Sequence, residues 1–187
     1  MKKHPSRGRA HLHIIPLGAV DALIVSVVAA NIQAVMGLKA ATMPIEPTPE
    51  YAYQPSRRQY GAIKIIGTLA SRAKPTPSPL ILGITFQDIA TPILTFVFGE
   101  SQIGGRAALI SLYRIMDADI DITCTRAAKI GLHEVGHLLG IGHCRTVGCL
   151  MRFSDNLEKL DKMQLTFCPP CMYELSRRIQ HRFTIVS

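Results

Sequence analysis

The sequence predicts an α/β fold. Strand-like apolar runs alternate with helix-periodic segments along the first 140 residues. Apolar residues make up 48% of the chain, too many for a disordered polymer. At 187 residues, with no internal repeat, the chain has the length of one domain with a core of its own.

Residues 11–17 ("HLHIIPL") read as a first strand. Residues 21–38 carry Leu23, Ile24, Val27, Ala34, Val35 and Leu38 at helical spacing, with Gly37 as a late breaker. Four prolines in residues 43–55 ("MPIEPTPEYAYQP") make an extended connector. Ser56 is placed to cap a second helix over residues 56–73, which must end before "KPTPSP". Three strand-like runs follow, "LILGITF", "TFVFG" and "AALISLYRI". Beyond Asp121 and Thr123 a helix runs to about Gly140. At about 100° per residue, Ala128, Leu132, Val135 and Leu139 share its buried face, opposite His133 and His137. Gly136 within this helix costs about 1 kcal/mol relative to alanine, which a close backbone contact would explain.

The formal charge is +8, partly from Lys2, Lys3, Arg7 and Arg9 in the N-terminal tail. A basic surface attracts nucleic acid or acidic peptides, but no nucleic-acid motif accompanies it. The basic start and the apolar residues after it superficially resemble a signal peptide. Pro16 and Asp21 interrupt the run and leave residues 22–30, well short of the ~20 residues of a membrane span. The five cysteines are odd in number, and four of them group near the C-terminus. That pattern points to metal binding in a reducing, cytoplasmic compartment rather than to a disulfide framework.

The chemistry concentrates in residues 133–151, "HEVGHLLGIGHCRTVGCLM". His133 and His137 stand one helical turn apart, so both imidazoles can reach one ion. Glu134 lies about 80° around the helix from their mean direction, better placed to hold a metal-bound water than to coordinate. Gly140 permits the left-handed turn that ends a helix, and the returning chain delivers His143 as a third ligand. Three neutral imidazoles leave zinc a strong Lewis acid with an open position, where bound water reaches a pKa of about 7. Glu134 would take that water's proton and pass it to a leaving amine. Cys144, Cys149, Cys168 and Cys171 form two pairs separated by 18 residues, a spacing that suits a closed four-thiolate zinc site. Consecutive side chains in extended backbone point apart, so His143 and Cys144 can serve different ions. Cys124 belongs to neither group and reads as a buried thiol. His4, His11, His13 and His181 lack comparable partners.

"HEVGHLLGIGH" resembles the zinc signature of metzincin metallopeptidases, and the four cysteines with the "CLM" step resemble the archaemetzincin family. Residues 132–171 carry the specific match, with weaker similarity in "IIPLGAVD", "RRQYGA" and "FVFGES". The resemblance implies a twisted, mostly parallel sheet, an active-site helix and a small C-terminal subdomain. It divides one catalytic domain, 1–187, into residues 1–140 and 141–187. It also implies two zinc ions, one catalytic and one structural, and places Met151 as the Met-turn residue beneath the catalytic zinc, with Met163 in reserve.

The expected function is therefore zinc-dependent peptide-bond hydrolysis on peptide or protein substrates, by a chain expected to be monomeric. The alternative is a zinc-stabilised binding module for RNA or an acidic protein, with little turnover. "GGRAALISLYRI" reads equally as a substrate-pairing sheet edge or as an ordinary core strand.

Overall fold

The computed structural model describes residues 11–72 and 79–184. The N-terminal tail with Lys2, Lys3, His4, Arg7 and Arg9 lies outside the described residues, as does most of "KPTPSP". The elements in order are β1 (Leu12–Leu17), α1 (Ala22–Met36), β2 (Ala40–Thr42), a 3-10 turn (Glu50–Ala52), β3 (Tyr53–Gln54) and β4 (Gln59–Gly61). After them come α2 (Ala62–Ser71), β5 (Leu80–Thr85), β6 (Ile89–Ala90), β7 (Gly99–Ser101), β8 (Ala107–Ser111), α3 (Ile120–Leu138), α4 (Leu157–Lys162) and α5 (Pro169–Thr184).

Five strands form the main sheet in the order β2-β1-β5-β8-β7. The first four are mutually parallel, and β7 alone runs antiparallel to its neighbour. This is the α/β arrangement expected, a mostly parallel sheet flanked by helices. Strand alternation sorts side chains between two cores. Leu12, Ile14, Leu80, Leu82, Ala108 and Ile110 face α1 and α3. Ile15, Leu17, Ile81, Ala107 and Leu109 face α2. Because helices cover both faces, β5 and β8 are buried at every position, which is why they read as unbroken apolar runs. A smaller sheet, β3-β4-β6, lies beside the α2 core.

The α1 core extends without a break into the C-terminal segment, through Leu150, Met151, Leu160, Phe167 and Leu175. Helix α3 is accordingly buried nearly all round, on more than the single face that periodicity marks. None of the described helices is long and apolar enough to cross a membrane.

Two elements depart from the sequence reading, and for a third the structure chooses between the two alternatives it left open. Ser56 caps no helix: residues 59–61 pair with β3 and β6, and α2 starts at Ala62. Strand pairing in the small sheet overrides the helical pattern there. "TFVFG" is irregular up to Phe98, and the strand occupies Gly99–Ser101. "GGRAALISLYRI" is not the sheet edge, because β8 lies between β5 and β7. Its apolar character on both faces belongs to a core strand, and the edge is β7.

Polar contacts fix α3 from its first half. Arg126 forks onto Asp161 at 2.7 and 2.8 Å, reaches Asp117 at 3.3 Å and donates to the Ile115 carbonyl. Its hydrogen bonds hold the Asp161 carboxyl below the ordinary range, against the opposing effect of burial. The guanidinium is buried while both carboxylates are partly solvated, so the cluster lies between surface and buried ion pairs in strength. Arg126→Ala is expected to lower unfolding free energy by about 2 kcal/mol in denaturant titrations. A depressed carboxylate contributes stability above its unfolded pKa and loses it as pH falls. The stability gap between wild type and Asp161→Asn should therefore close between about pH 5 and pH 3.

Candidate metal centre and its cleft

Helix α3 ends in a Schellman turn directly after the second histidine. Gly140 has φ 87°, its N–H donates to His137 O at 2.8 Å, and the Ile141 N–H donates to Gly136 O at 3.0 Å. The chain folds back from this turn and brings His143 to the helix. The ligand atoms of His133, His137 and His143 lie within 4.8 Å of one another.

Two carbonyls orient the helical imidazoles. His133 Nδ1 is 2.7 Å from Leu150 O, and His137 Nδ1 is 2.7 Å from Ile141 O. A carbonyl only accepts, so each Nδ1 carries the proton and each Nε2 presents a lone pair. Those two Nε2 atoms approach to 3.0 Å with no proton between them. Two converging lone pairs repel unless a cation lies between them. A tetrahedral zinc with arms of 2.0–2.1 Å would hold two nitrogens about 3.3 Å apart, close to this separation. Burial and the His137 imidazole push His133 down to about 3, and burial lowers His137 and His143 as well. Neutral rings are the form in which histidine binds metal.

Glu134 is buried beside this group. Ser101 Oγ donates to its Oε2 at 2.6 Å, and desolvation raises the carboxyl to about 8. Gly99 leaves room for it: a methyl group there would lie 2.6 Å from Glu134 Oε1. Both contacts come from β7, the free sheet edge. The carboxylate therefore spans from helix to edge strand.

The four cysteines meet on the other side of residue 143. Their sulfurs lie within 4.8 Å of one another, and Cys144 Sγ is 3.8 Å from Cys168 Sγ. That is far beyond a disulfide bond and matches the roughly 3.8 Å edge of a tetrahedron with 2.3 Å zinc–sulfur arms. The Thr146 N–H donates to Cys144 Sγ and the Cys168 N–H to Cys149 Sγ, both at 3.4 Å. The Thr146 bonds pull the Cys144 thiol down to about 6, whereas burial and neighbouring sulfurs push Cys171 up. Four thiols crowded at this separation cannot all ionise without a cation.

Met151 is fully buried against the helix, where a methyl on Gly136 would come 2.6 Å from its Sδ. This is the close contact that a helical glycine at 136 called for. Met163 is also buried and lines the cleft. Cys124 is buried apart from both groups, and burial raises its thiol. His11 stacks on Phe183 at 4.6 Å, away from the centre.

A cleft of about 520 Å³ opens over the three histidines and Glu134. Residues 94–101 form one wall, and Lys129, Leu160, Met163 and residues 152–155 line it elsewhere. The model of peptidase family M54 matches residues 25–177. The chain belongs to that family, the archaemetzincins. It is a zinc metallopeptidase.

Among curated relatives, the archaemetzincin of Archaeoglobus fulgidus is 33% identical over 86% of this chain and 95% of its own length. Its crystal structure, complexed with malonate, superposes with a TM-score of 0.78 over 87% of this chain and 98% of that one. The archaemetzincin structure from Methanopyrus kandleri gives a TM-score of 0.81 at 31% identity, covering 93% and 98%. A zinc-dependent peptidase from Methanocorpusculum labreanum gives 0.79 at 28% identity, covering 88% and 99%.

Gly99 and Ser101 carry no motif of their own that marks them as site residues; only their place in "FVFGES" marks the segment. The Leu150 and Ile141 carbonyls have no signature at all, because any residue supplies one. Gly99→Ala is expected to force Glu134 off Ser101 and destabilise the fold by about 1–3 kcal/mol. Adding Glu134→Ala should remove most of that penalty. A double-mutant cycle of denaturation free energies checks the coupling, and simple additivity would refute it.

Proposed function

We propose that His133, His137 and His143 hold the catalytic zinc, that Glu134 is the general base and acid of peptide hydrolysis, and that Cys144, Cys149, Cys168 and Cys171 hold a second, structural zinc. The observation that carries the reading is the convergence of three imidazoles, with two Nε2 atoms 3.0 Å apart and all three ligand atoms within 4.8 Å, beside a buried carboxyl.

Zinc bound to three imidazoles supplies a Lewis acid that polarises a carbonyl and lowers the pKa of water to about 7. The remaining work falls to the chain. Burial makes Glu134 hold a proton firmly, as a group must that takes one from water and returns it to a leaving amine. Positive charge in the neighbouring site favours its ionised, proton-accepting form. Ser101 Oγ fixes one carboxylate oxygen, so the other is free to work. The exposed edge of β7 offers backbone groups with which an extended peptide can pair. Met151 supports the ligand-bearing helix from beneath, as the Met-turn residue.

The four-cysteine site has no open position and braces structure only. It would fix the loop that brings His143 in, since Cys144 adjoins His143 and its N–H donates to Met151 O at 2.7 Å. The whole chain, 1–187, then acts as one catalytic domain, with a C-terminal part that completes the site begun by α3. Clustered thiols of this kind suit the reducing cytoplasm.

Glu134→Ala is expected to abolish peptide cleavage while zinc content stays at two per chain; persistent cleavage would sink the mechanism. His137→Ala should reduce the stoichiometry from two ions to one by elemental analysis. Cys171→Ser should lower the affinity of the remaining histidine site for zinc, measured by competition with a chelator. Unchanged affinity would refute the bracing role.

A further inference from the structure

Lys129 is a buried cation on the cleft wall whose charge nothing described neutralises at close range. The residue is 6% exposed, and its Nζ donates to the carbonyls of Leu160 at 3.0 Å and Asp161 at 2.9 Å. An ammonium has three donors, so two are satisfied, both by neutral groups. The acidic side chain whose charge reaches it, Asp161, is already forked onto Arg126. Among the described residues Lys129 makes no ion pair.

Its position is set by the helix that carries the histidines. Residues 129, 133 and 137 fall on one stripe of α3, successive turns apart, with a rise of about 6 Å per step. Lys129 therefore lines the same cleft as His133, one turn before it on the helix. Arg152, exposed, also lines the cleft and adds positive charge, while the lining Asp155 is engaged by Lys159. The opposite polarity lies toward β7, where Glu100 and Glu134 line the cleft.

We propose that Lys129 makes the cleft selective for a carboxylate on the bound peptide, carried either by an acidic side chain next to the cleaved bond or by a free C-terminus close to it. This rests on the peptidase reading above. A carboxylate entering the cleft gains a charge-assisted hydrogen bond in a place shielded from water, where such bonds are strong. Desolvation also draws the lysine below its ordinary pKa, as expected of a charge short of partners. The contacts to α4 account for two donors and need only a polar group; the third donor, the charge and the position in the cleft are left to a ligand.

The test uses full-length, zinc-loaded protein and peptide hydroxamates, whose metal-binding group fixes the register. Paired ligands carry Glu or Gln next to the hydroxamate, and a free acid or an amide at the C-terminus. Binding is measured by calorimetry for wild type, Lys129→Met and Lys129→Gln; the glutamine variant keeps a donor for α4 should methionine prevent folding. Wild type is expected to bind one acid-bearing series about tenfold more tightly than its neutral isostere. Which series responds identifies the source of the carboxylate. The ratio should fall to about one in both variants. Equal binding of acid and neutral ligands by wild type would overturn the proposal. So would variants that melt lower but keep the wild-type ratio, the result of a purely structural lysine. Failure of the peptidase reading looks different: no hydrolysis of a random peptide library by zinc-loaded wild type, whatever the calorimetric ratio.

Discussion

The contact between residues 149–151 and helix α3 is the constraint from which the rest of the centre follows. Gly136 removes the side chain that would hold the segment away, and Met151 settles directly on the helix backbone. Three consecutive residues then act in three directions. Leu150 O accepts from His133 Nδ1, which turns that imidazole's lone pair inward. Met151 O accepts from Cys144 N, which positions the junction between the histidine and cysteine groups. Cys149 adds its sulfur to the four-thiol cluster. A larger residue at 136 would disturb all three at once, because they share one stretch of backbone.

Electrostatics runs the same way in both ligand groups. Each brings together atoms that repel when alone: converging imidazole lone pairs in one, crowded sulfurs in the other. Neighbouring backbone supports that crowding, through carbonyls on the outer histidine nitrogens and N–H groups on two of the sulfurs. Backbone groups that orient the ligand atoms in this way lower the ordering cost of binding an ion. The difference lies in completeness. Four sulfurs would fill a tetrahedral ion's coordination, whereas three imidazoles would leave one position open, and these imidazoles line the cleft together with Glu134.

Much of this was legible because the ligands repeat at spacings that a helix and a tight turn impose. His133 and His137 follow the helical period, Gly140 permits the reversal, and the cysteine pairs announce themselves by number. The parallel core strands were readable from unbroken apolar runs such as "LILGIT". What escaped was set by pairing at a distance. Residues 59–61 have a helical pattern locally but are captured by the small sheet. The apolar run of β8 fits an edge or a centre equally well until β7 is known to cover it. Lys129 reads as one more surface charge on α3 until α4 closes over it, and Ser101 reads as an isolated hydroxyl until Glu134 reaches it.

Strand β7 shows why the antiparallel exception in an otherwise parallel sheet matters. A parallel strand at that edge would need a long crossover, whereas an antiparallel one joins β8 through a short turn. That turn spans residues 102–106, and its Gly104 N–H donates to His137 O at 2.8 Å. The turn is thereby fastened to the end of α3, and the strand before it faces Glu134 through Gly99 and Ser101. Edge strand, turn and helix become one unit, tied at the histidine backbone and at the glutamate side chain. Among the described residues no further strand follows it, so the strand's outer backbone groups stay unpaired within the sheet. An extended chain laid along that edge would lie beside Glu134 with its register set by the same strand that holds the carboxylate. Substrate alignment and proton transfer would then depend on a single three-residue strand, which is reason enough for it to be short, glycine-led and fastened at its far end.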